Sequence, residues 1–369
     1  MSHYDYSGHT TSYSNITSGA NSNQQNGSVY GGVTNNYNNR PGTSTSQRSN
    51  KAGRSVADYT VAWICALPVP EWQASQLLFD AEHENIPLPS TATYQYEFGE
   101  MNGHNVVMGC LPDTQIGKAA ASSVATEMRG VFPNIRIGLL VGVGGGVPNE
   151  DHDVRLGDVV IGRPDKDRQN GGVIQYDYGK AMQDGTFKEM GSLNMPSDKL
   201  LAALGRSRAS RSSKFYDYLD SYREHKRFLK YAKKPNTADR LYKSDFVHAS
   251  NAPTCNECPE MYQVHREDRA DEYPEIHYGT IASGDEVIKD SARRDEIAQK
   301  HDIICFEMEA AGLVNRFPCL VVRGICDYCD SHKNKGWQAY AAAAAAAAAK
   351  EILRNISPSD VKGMDTSTY

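Results

Sequence analysis

No apolar run in this 369-residue chain approaches the roughly 18 to 20 residues of a membrane-spanning helix, and the N-terminus lacks the charged-then-apolar order of a secretory signal. No membrane partner and a cytoplasmic location are therefore expected. An excess of positive charge is also missing. With 39 Lys and Arg against 45 Asp and Glu, the net charge is −6 and the pI about 6.0, which argues against a dedicated nucleic-acid binder. Cysteine is sparse at eight residues, and Cys65, Cys110, Cys305, Cys319 and Cys326 sit inside apolar, strand-like runs. That pattern predicts reduced, buried thiols rather than a disulfide framework.

Charge is nearly absent from the first 50 residues, where only Asp5, Arg40 and Arg48 carry it and 34 positions are Ser, Asn, Gly, Thr or Gln. Such a segment cannot offset its ordering entropy by burial, so residues 1–57 are expected to be a disordered low-complexity tail. A sharper alternative is self-association. Five interleaved tyrosines and two Asn/Gly-rich segments with β-branched residues, 15–20 and 28–34, could stack as cross-β.

From residue 58 to 356 short apolar runs alternate with helical patterns, which predicts an α/β catalytic domain, followed by a flexible C-terminus at 357–369. Strands are expected at 61–67, 105–110, 135–143, 158–161, 276–283, 303–307 and 319–326. Most are continuous Val/Ile/Leu runs, so both faces of the sheet should be covered. Helices are expected at 71–82, 117–130 and 291–300. A last one at 336–354 carries nine consecutive alanines, suited to close packing. Residues 198–272 interrupt the alternation as an inserted basic helical segment. Between 199 and 243, 13 Lys or Arg face four acids, either a solvated face or an attractor for a phosphate-bearing substrate. Just after it, Cys255 and Cys258 form a CxxC between His248 and His265. One cysteine pair with these His spacings matches no standard finger, so plain thiols and no metal are expected.

Four motifs carry the chemistry. Gly142-Val143-Gly144-Gly145-Gly146-Val147-Pro148 follows an apolar run and reads as a turn at which backbone amides can approach a ligand, yet it has neither the lysine of GxxxxGK[ST] nor GxGxxG spacing. Phe306-Glu307-Met308-Glu309 places two carboxylates at a strand end, where burial without partners is costly and a vicinal diol is a fitting ligand. Arg323-Gly324-Ile325-Cys326-Asp327 ends another strand in an acid, and ligands of open α/β sheets bind at the carboxyl ends of strands. Glu71 stands just beyond the first strand, where it can also simply serve the dipole of the next helix.

In this order the motifs resemble the nucleoside phosphorylase and nucleosidase superfamily, in particular a fungal branch related to methylthioadenosine/S-adenosylhomocysteine nucleosidases. The resemblance runs from about residue 59 to 354 through VGVGGGVP, VRLGDVVIG, QYDYGK, YGTIASGDEVI, CFEMEAAG, RGICDYCDSHKNK and the WQAY-polyalanine segment. It implies a three-layer fold with a central mixed sheet flanked by helices. It also implies a purine nucleoside or nucleotide as ligand, no cofactor, and a homo-oligomer of two or more subunits. Asp327 matches the acid that protonates N7 of the departing purine. Met308 and Glu309 match the ribose-binding pair, and Glu71 the glutamate that polarises attacking water, from a loop one residue longer than usual. Val143, Gly144 and Gly145 match the loop under the ribosyl and nucleophile site. Ser283 and Gly284 open the base-binding segment, in which Val287 replaces an aromatic that usually stacks on adenine.

Breaking an N-glycosidic bond builds positive charge on ribose and negative charge on the base. Asp327 must therefore carry a proton near neutral pH, and an apolar or like-charged setting is expected around it. Phosphorolysis needs cationic or amide ligands for phosphate, and by the resemblance Leu140 and Val143 stand where bacterial phosphorylases of the superfamily place arginine and serine. Hydrolysis releasing a free base, adenine by the resemblance, is the expected activity. A phosphorolytic purine nucleoside phosphorylase is the alternative. A nucleotide-sensing or self-associating module with an amyloid-prone tail is a third reading.

Overall fold

Side chains alternate across a strand, and β1 (Val61–Cys65) uses both sides: Val61, Trp63 and Cys65 enter one apolar core, Ala62 and Ile64 another. This chain is described here by a computed structural model covering residues 53–249, 254–269, 271–316 and 318–364. After β1 come α1 (Gln73–Gln76), β2 (Ala81–Glu82), β3 (Tyr96–Met101), β4 (His104–Cys110), α2 (Lys118–Val131), β5 (Ile137–Gly146), β6 (Val159–Gly162) and β7 (Val173–Gln175). A hairpin of β8 (Gly179–Ala181) and β9 (Phe187–Glu189) precedes α3 (Asp198–Ala209), α4 (Phe215–Ser221) and α5 (Leu229–Ala232). The chain then runs through β10 (Ile276–Ser283), α6 (Ser291–His301), β11 (Ile303–Glu307), α7 (Ala310–Leu313), β12 (Cys319–Asp327), α8 (Gln338–Arg354) and α9 (Pro358–Lys362).

Among the described residues the main sheet runs β11-β10-β6-β12-β5-β1-β4-β3-β2, with β7 added on β10. It is mixed, as the resemblance implies: β1 is parallel to β4 and β5, and β5 to β12, while β12 is antiparallel to β6. The sheet also curls. The last residues of β5, Gly145 and Gly146, pair antiparallel with Phe306 and Cys305 of β11, which draws the ends of β5, β11 and β12 together.

One core lies between the sheet and α8, and the inserted helices close it from outside with Leu200, Leu204, Phe215 and Leu219. The other holds Ala121, Val124, Ala125 and Met128 of α2 and Leu313 of α7. Helix α8 is enclosed on all sides, and its alanines 341–349 are at most 2% exposed. Close approach explains the composition: a Cβ on Gly324 of β12 would lie 1.8 Å from the Ala341 carbonyl oxygen.

Several expectations change. The helix expected at 71–82 ends at Gln76, and the chain turns into β2 so that Phe79 can pack against Gly99 of β3, a strand not foreseen from the sequence. The glycine motif is extended strand rather than turn, since β5 runs through Gly146. Beyond Ala232 the inserted segment is mostly irregular. The segment 357–369, expected to be flexible, forms α9 at Pro358–Lys362 with Val361 fully buried, and residues 365–369 lie outside the described residues. So does the expected tail up to residue 52. Its last residues are folded: the Asp58 N–H on the Ser55 carbonyl at 3.1 Å closes a 3-10 turn at Val56–Asp58, and the Ser55 N–H caps it by donating to Asp58 Oδ2 at 2.7 Å. No described helix is long and apolar enough to cross a membrane.

Candidate active site

Glu71 sits in a wide turn after β1, closed by the Trp72 N–H on the Leu67 carbonyl at 3.0 Å, an i→i+5 spacing of the kind that recurs at functional sites. The turn aims the buried carboxylate back at the sheet. Oε2 accepts from the Ala66 and Leu67 amides at 2.8 and 3.0 Å, and Oε1 from the Val143 amide at 2.8 Å. Burial pushes its carboxyl above the usual range, against the Arg323 charge and these amides.

The β5 glycines are required by proximity rather than by a phosphate loop. A Cβ on Gly142 would lie 2.5 Å from both Glu71 Oε1 and Arg323 Nη1. One on Gly144 would lie 2.9 Å from the Phe306 carbonyl oxygen, and one on Gly145 only 2.0 Å from Cys329 Sγ and 2.9 Å from Asp327 Oδ1. Three strands thus deliver carboxylates to one place because β5 has no side chains in the way.

Arg323 is fully buried on β12 and pairs through Nη2 with Glu307 and, at 3.2 Å, with Glu309 Oε2. The sequence reading gave neither Arg323 nor Glu307 a role. Their function is electrostatic: without this cation, three buried carboxylates would share one low-dielectric pocket, which no fold tolerates cheaply. Glu307 accepts the Glu309 and Ala310 amides at 3.0 Å, and Glu309 Oε1 accepts the Gly117 amide at 3.2 Å. Burial pushes the Glu309 carboxyl up to about 7, with Arg323 opposing and Glu307 and Glu71 adding to the rise.

Asp327 ends β12, 4% exposed, with Oδ1 accepting the Cys329 amide at 3.0 Å. Its setting is neither apolar nor like-charged, contrary to expectation: Lys333 Nζ lies 3.0 Å from Oδ2. Burial pushes the lysine's pKa down, but the Asp327 charge and nearby thiols outweigh it and hold the ammonium above its usual range. The lysine had no role in the sequence reading, although its place six residues after a strand-end acid is a usable signal.

These groups open on one cleft of about 530 Å³, a size typical of small-molecule sites. Of the sequence-predicted residues, Glu71, Val143, Gly144, Gly145, Val287, Met308, Glu309 and Asp327 line it. Ser283 and Gly284 do not. Ser283 is buried behind the wall, its Oγ accepting the Ala311 amide at 3.0 Å, and Gly284 packs against the Tyr176 ring. Val287 is 49% exposed, and the aromatic side chain on the cleft wall is Phe306, packed edge-on to Tyr176 and given no role in the sequence reading. Lysines line the cleft too, but Lys289, Lys333 and Lys335 rather than those of the inserted segment. Arg223, Lys233 and Lys234 face a different hollow, beside Tyr340. Leu140 is wholly buried in the core under α2. Outside the cleft, the structure gathers His248 with Cys255 and Cys258, whereas His265 is 91% exposed.

Known proteins resemble this chain to different depths. A nucleotide-binding leucine-rich repeat (NLR)-like protein of Hyaloscypha variabilis is 40% identical over 313 residues, 83% of this chain but 30% of that relative. An ATP nucleosidase, Cap17, of Escherichia coli is 33% identical over 86 residues, 22% of this chain and 17% of Cap17. The chain thus spans under a third of either relative's length. Among solved structures, Helicobacter pylori futalosine hydrolase superposes with a TM-score of 0.50 at 17% identity, covering 80% of this chain and 97% of its own. The 5′-methylthioadenosine/S-adenosyl homocysteine nucleosidase of the same organism reaches 0.51 at 15%, covering 80% and 98%. At such identities the likeness is one of fold. The phosphorylase superfamily profile, however, matches residues 60–356, a span that takes in Glu71, the β5 glycines, Glu309 and Asp327, and the chain belongs to that superfamily.

Proposed function

We propose that this chain hydrolyses the N-glycosidic bond of an adenine nucleotide, releasing the free base, with water as the nucleophile. The observation that carries the reading is the convergence of Glu71, Glu309 and Asp327 on one cleft whose wall also bears Lys289, Lys333 and Lys335. The carboxylates suit an oxocarbenium-like ribosyl group, as paired acids do in glycosidases. Lys289 and Lys335 suit a phosphorylated 5′ end. The partial similarity to an ATP nucleosidase points the same way.

In this mechanism Glu309 accepts the ribose 2′- and 3′-hydroxyls while Met308 packs beneath the sugar. Glu71, its carboxylate steered by backbone amides, polarises the water that attacks C1′. Asp327 delivers a proton to N7 as negative charge grows on the base. Lys333, held as an ammonium, donates a hydrogen bond to Asp327 Oδ2 and orients the carboxyl, and the proton that Asp327 delivers is taken up again from water. Phosphate is disfavoured as nucleophile on the Glu71 side of the sugar: Leu140 lies in the core, Arg323 is committed to Glu307 and Glu309, and the Val143 amide is taken by Glu71.

The test is incubation with adenosine, methylthioadenosine, AMP and ATP, with and without phosphate, separating bases and sugars by chromatography. Adenine and a ribose 5′-phosphate ester from AMP or ATP, at a kcat/KM above that for adenosine and falling as salt screens the lysines, are the expected results. Equal, salt-insensitive cleavage of adenosine and ATP would sink the nucleotide preference.

A further inference from the structure

The cysteine pair of the inserted segment lies next to a buried histidine, stacked on Tyr242, whose ring nitrogens have no hydrogen-bond partner among the described residues. We propose that Cys255, Cys258, His248 and His332 form a structural zinc site that fastens the inserted segment to the loop following β12. The donor atoms of His248, Cys255 and Cys258 lie within 4.8 Å of one another. A tetrahedral zinc, with bonds of about 2.3 Å to sulfur and about 2.0 Å to nitrogen, needs donors roughly 3.3 to 3.8 Å apart, a contraction of about 1 Å. The cysteines are preset for this by a 3-10 turn in which the Cys258 N–H meets the Cys255 carbonyl at 3.2 Å.

His248 is oriented as metal-bound histidines are. Its Nε2 lies 3.2 Å from the Thr254 carbonyl, and an Nε2 proton donated there leaves the Nδ1 lone pair for a metal. The independent observation is His332. Its side chain is 5% exposed, and neither ring nitrogen has a hydrogen-bond partner among the described residues. Asp330 Oδ2, at 3.7 Å from Nδ1, is too far for one. Leaving such polar atoms buried and unpaired costs about 1 to 3 kcal/mol each. The ring stands edge-on to His248, centroids 5.2 Å apart, and the His332 carbonyl is 4.0 Å from Cys255 Sγ. His332 is not among the residues whose donor atoms already lie within 4.8 Å, so its ring must shift toward His248 for a metal to pair one of the orphaned nitrogens.

Binding displaces both thiol protons, so a divalent cation and two thiolates make a neutral centre that needs no further counter-ion. His332 directly precedes Lys333, the partner of Asp327. The site therefore ties the segment beyond α5 to the loop that sets that lysine, and its role is positioning rather than catalysis.

Metal analysis of the full chain, purified without chelators and dialysed, tests this. About one zinc per chain is expected, and none in Cys255→Ser or Cys258→Ser. If those variants fail to fold, the parent still decides: cobalt(II) exchanged into it should show the thiolate charge-transfer and intense visible bands of a tetrahedral site, and His332→Ala should weaken them. A chain that holds no zinc after incubation with zinc sulfate overturns the proposal. So do zinc retained by both serine variants and a Cys255–Cys258 disulfide in protein from a reducing cytosol. Cobalt bands unchanged in His332→Ala remove that histidine from the ligand set.

Discussion

Lys333 Nζ stands 3.0 Å from Asp327 Oδ2 while the Cys329 amide holds Oδ1, so the strand-end acid is pinned by a cation on one oxygen and a backbone donor on the other. A carboxylate held this way is fixed in orientation, and under the proposed mechanism Lys333 sets how Asp327 faces the base. Both consequences can be measured.

Asp327→Asn should lose about 10² to 10⁴ in kcat, the span of a single general acid, with folding unchanged by circular dichroism. Lys333→Met should lower kcat less, by about tenfold, and displace the pH profile of kcat, which a purely structural lysine would not do. Near-native turnover in the asparagine variant removes Asp327 from the mechanism.

Glu309 accepts ribose hydroxyls best as a carboxylate, and its carboxyl is raised to about 7, so protonation weakens the substrate complex as pH falls through that value. KM for the nucleotide should climb below pH 7 in the parent. In Glu309→Gln it should be about tenfold higher and flat, because charge-assisted hydrogen bonds are about twice as strong as neutral ones. A 2′-deoxy substrate cleaved as fast as the ribo form speaks against this role.

Product formation should not require phosphate. Turnover of the phosphate-free enzyme should match that in phosphate buffer, with no ribose 1-phosphate ester detected by phosphorus NMR. That ester as the main product would make the chain a phosphorylase.

Gly145→Ala places a methyl group 2.0 Å from Cys329 Sγ and 2.9 Å from Asp327 Oδ1. The 327–329 turn must give way, so activity should fall by at least 10², about the effect of misplacing a catalytic group by 1 Å. Denaturant unfolding should show a loss of only about 1 to 3 kcal/mol, the usual range for overpacking.

Ala345→Leu tests the enclosed helix. Ala345 is fully buried within α8, so the larger side chain should cost about 1 to 3 kcal/mol, read from the midpoint of urea unfolding. A neutral change would mean that the inserted helices do not close over α8 as described.

Much of this was legible without coordinates. Strand β12 is an apolar run interrupted by Arg323 and Gly324 and ending in Asp327, and its apolar residues announce a strand buried on both faces with the candidate acid at the carboxyl end. Glu309 stands out because acids at an apolar strand end are costly to bury without partners, whereas Glu71 by itself reads as an acid in a first helical turn and is singled out only by the family resemblance. The glycines were found but misread. A glycine run looks the same whether it marks a turn or a strand with no room for Cβ atoms, and only the approach of β11 and β12 tells them apart. Strand β3 was missed because its Tyr-Glu-Phe-Gly-Glu-Met sequence is half polar and takes its order from pairing with β4.

Local sequence thus determined the elements and the strand-end acids, because apolar periodicity and the solvation cost of a carboxylate act over a few residues. Which charges neutralise one another was decided by the tertiary structure alone. Arg323 meets Glu307 and Glu309 across neighbouring segments, Lys289 comes to the cleft from after β10, and the basic insertion turns to α8 instead of the pocket. Electrostatic pairing depends on distance in space, and that distance exists only once the sheet has curled and brought the ends of β5, β11 and β12 together.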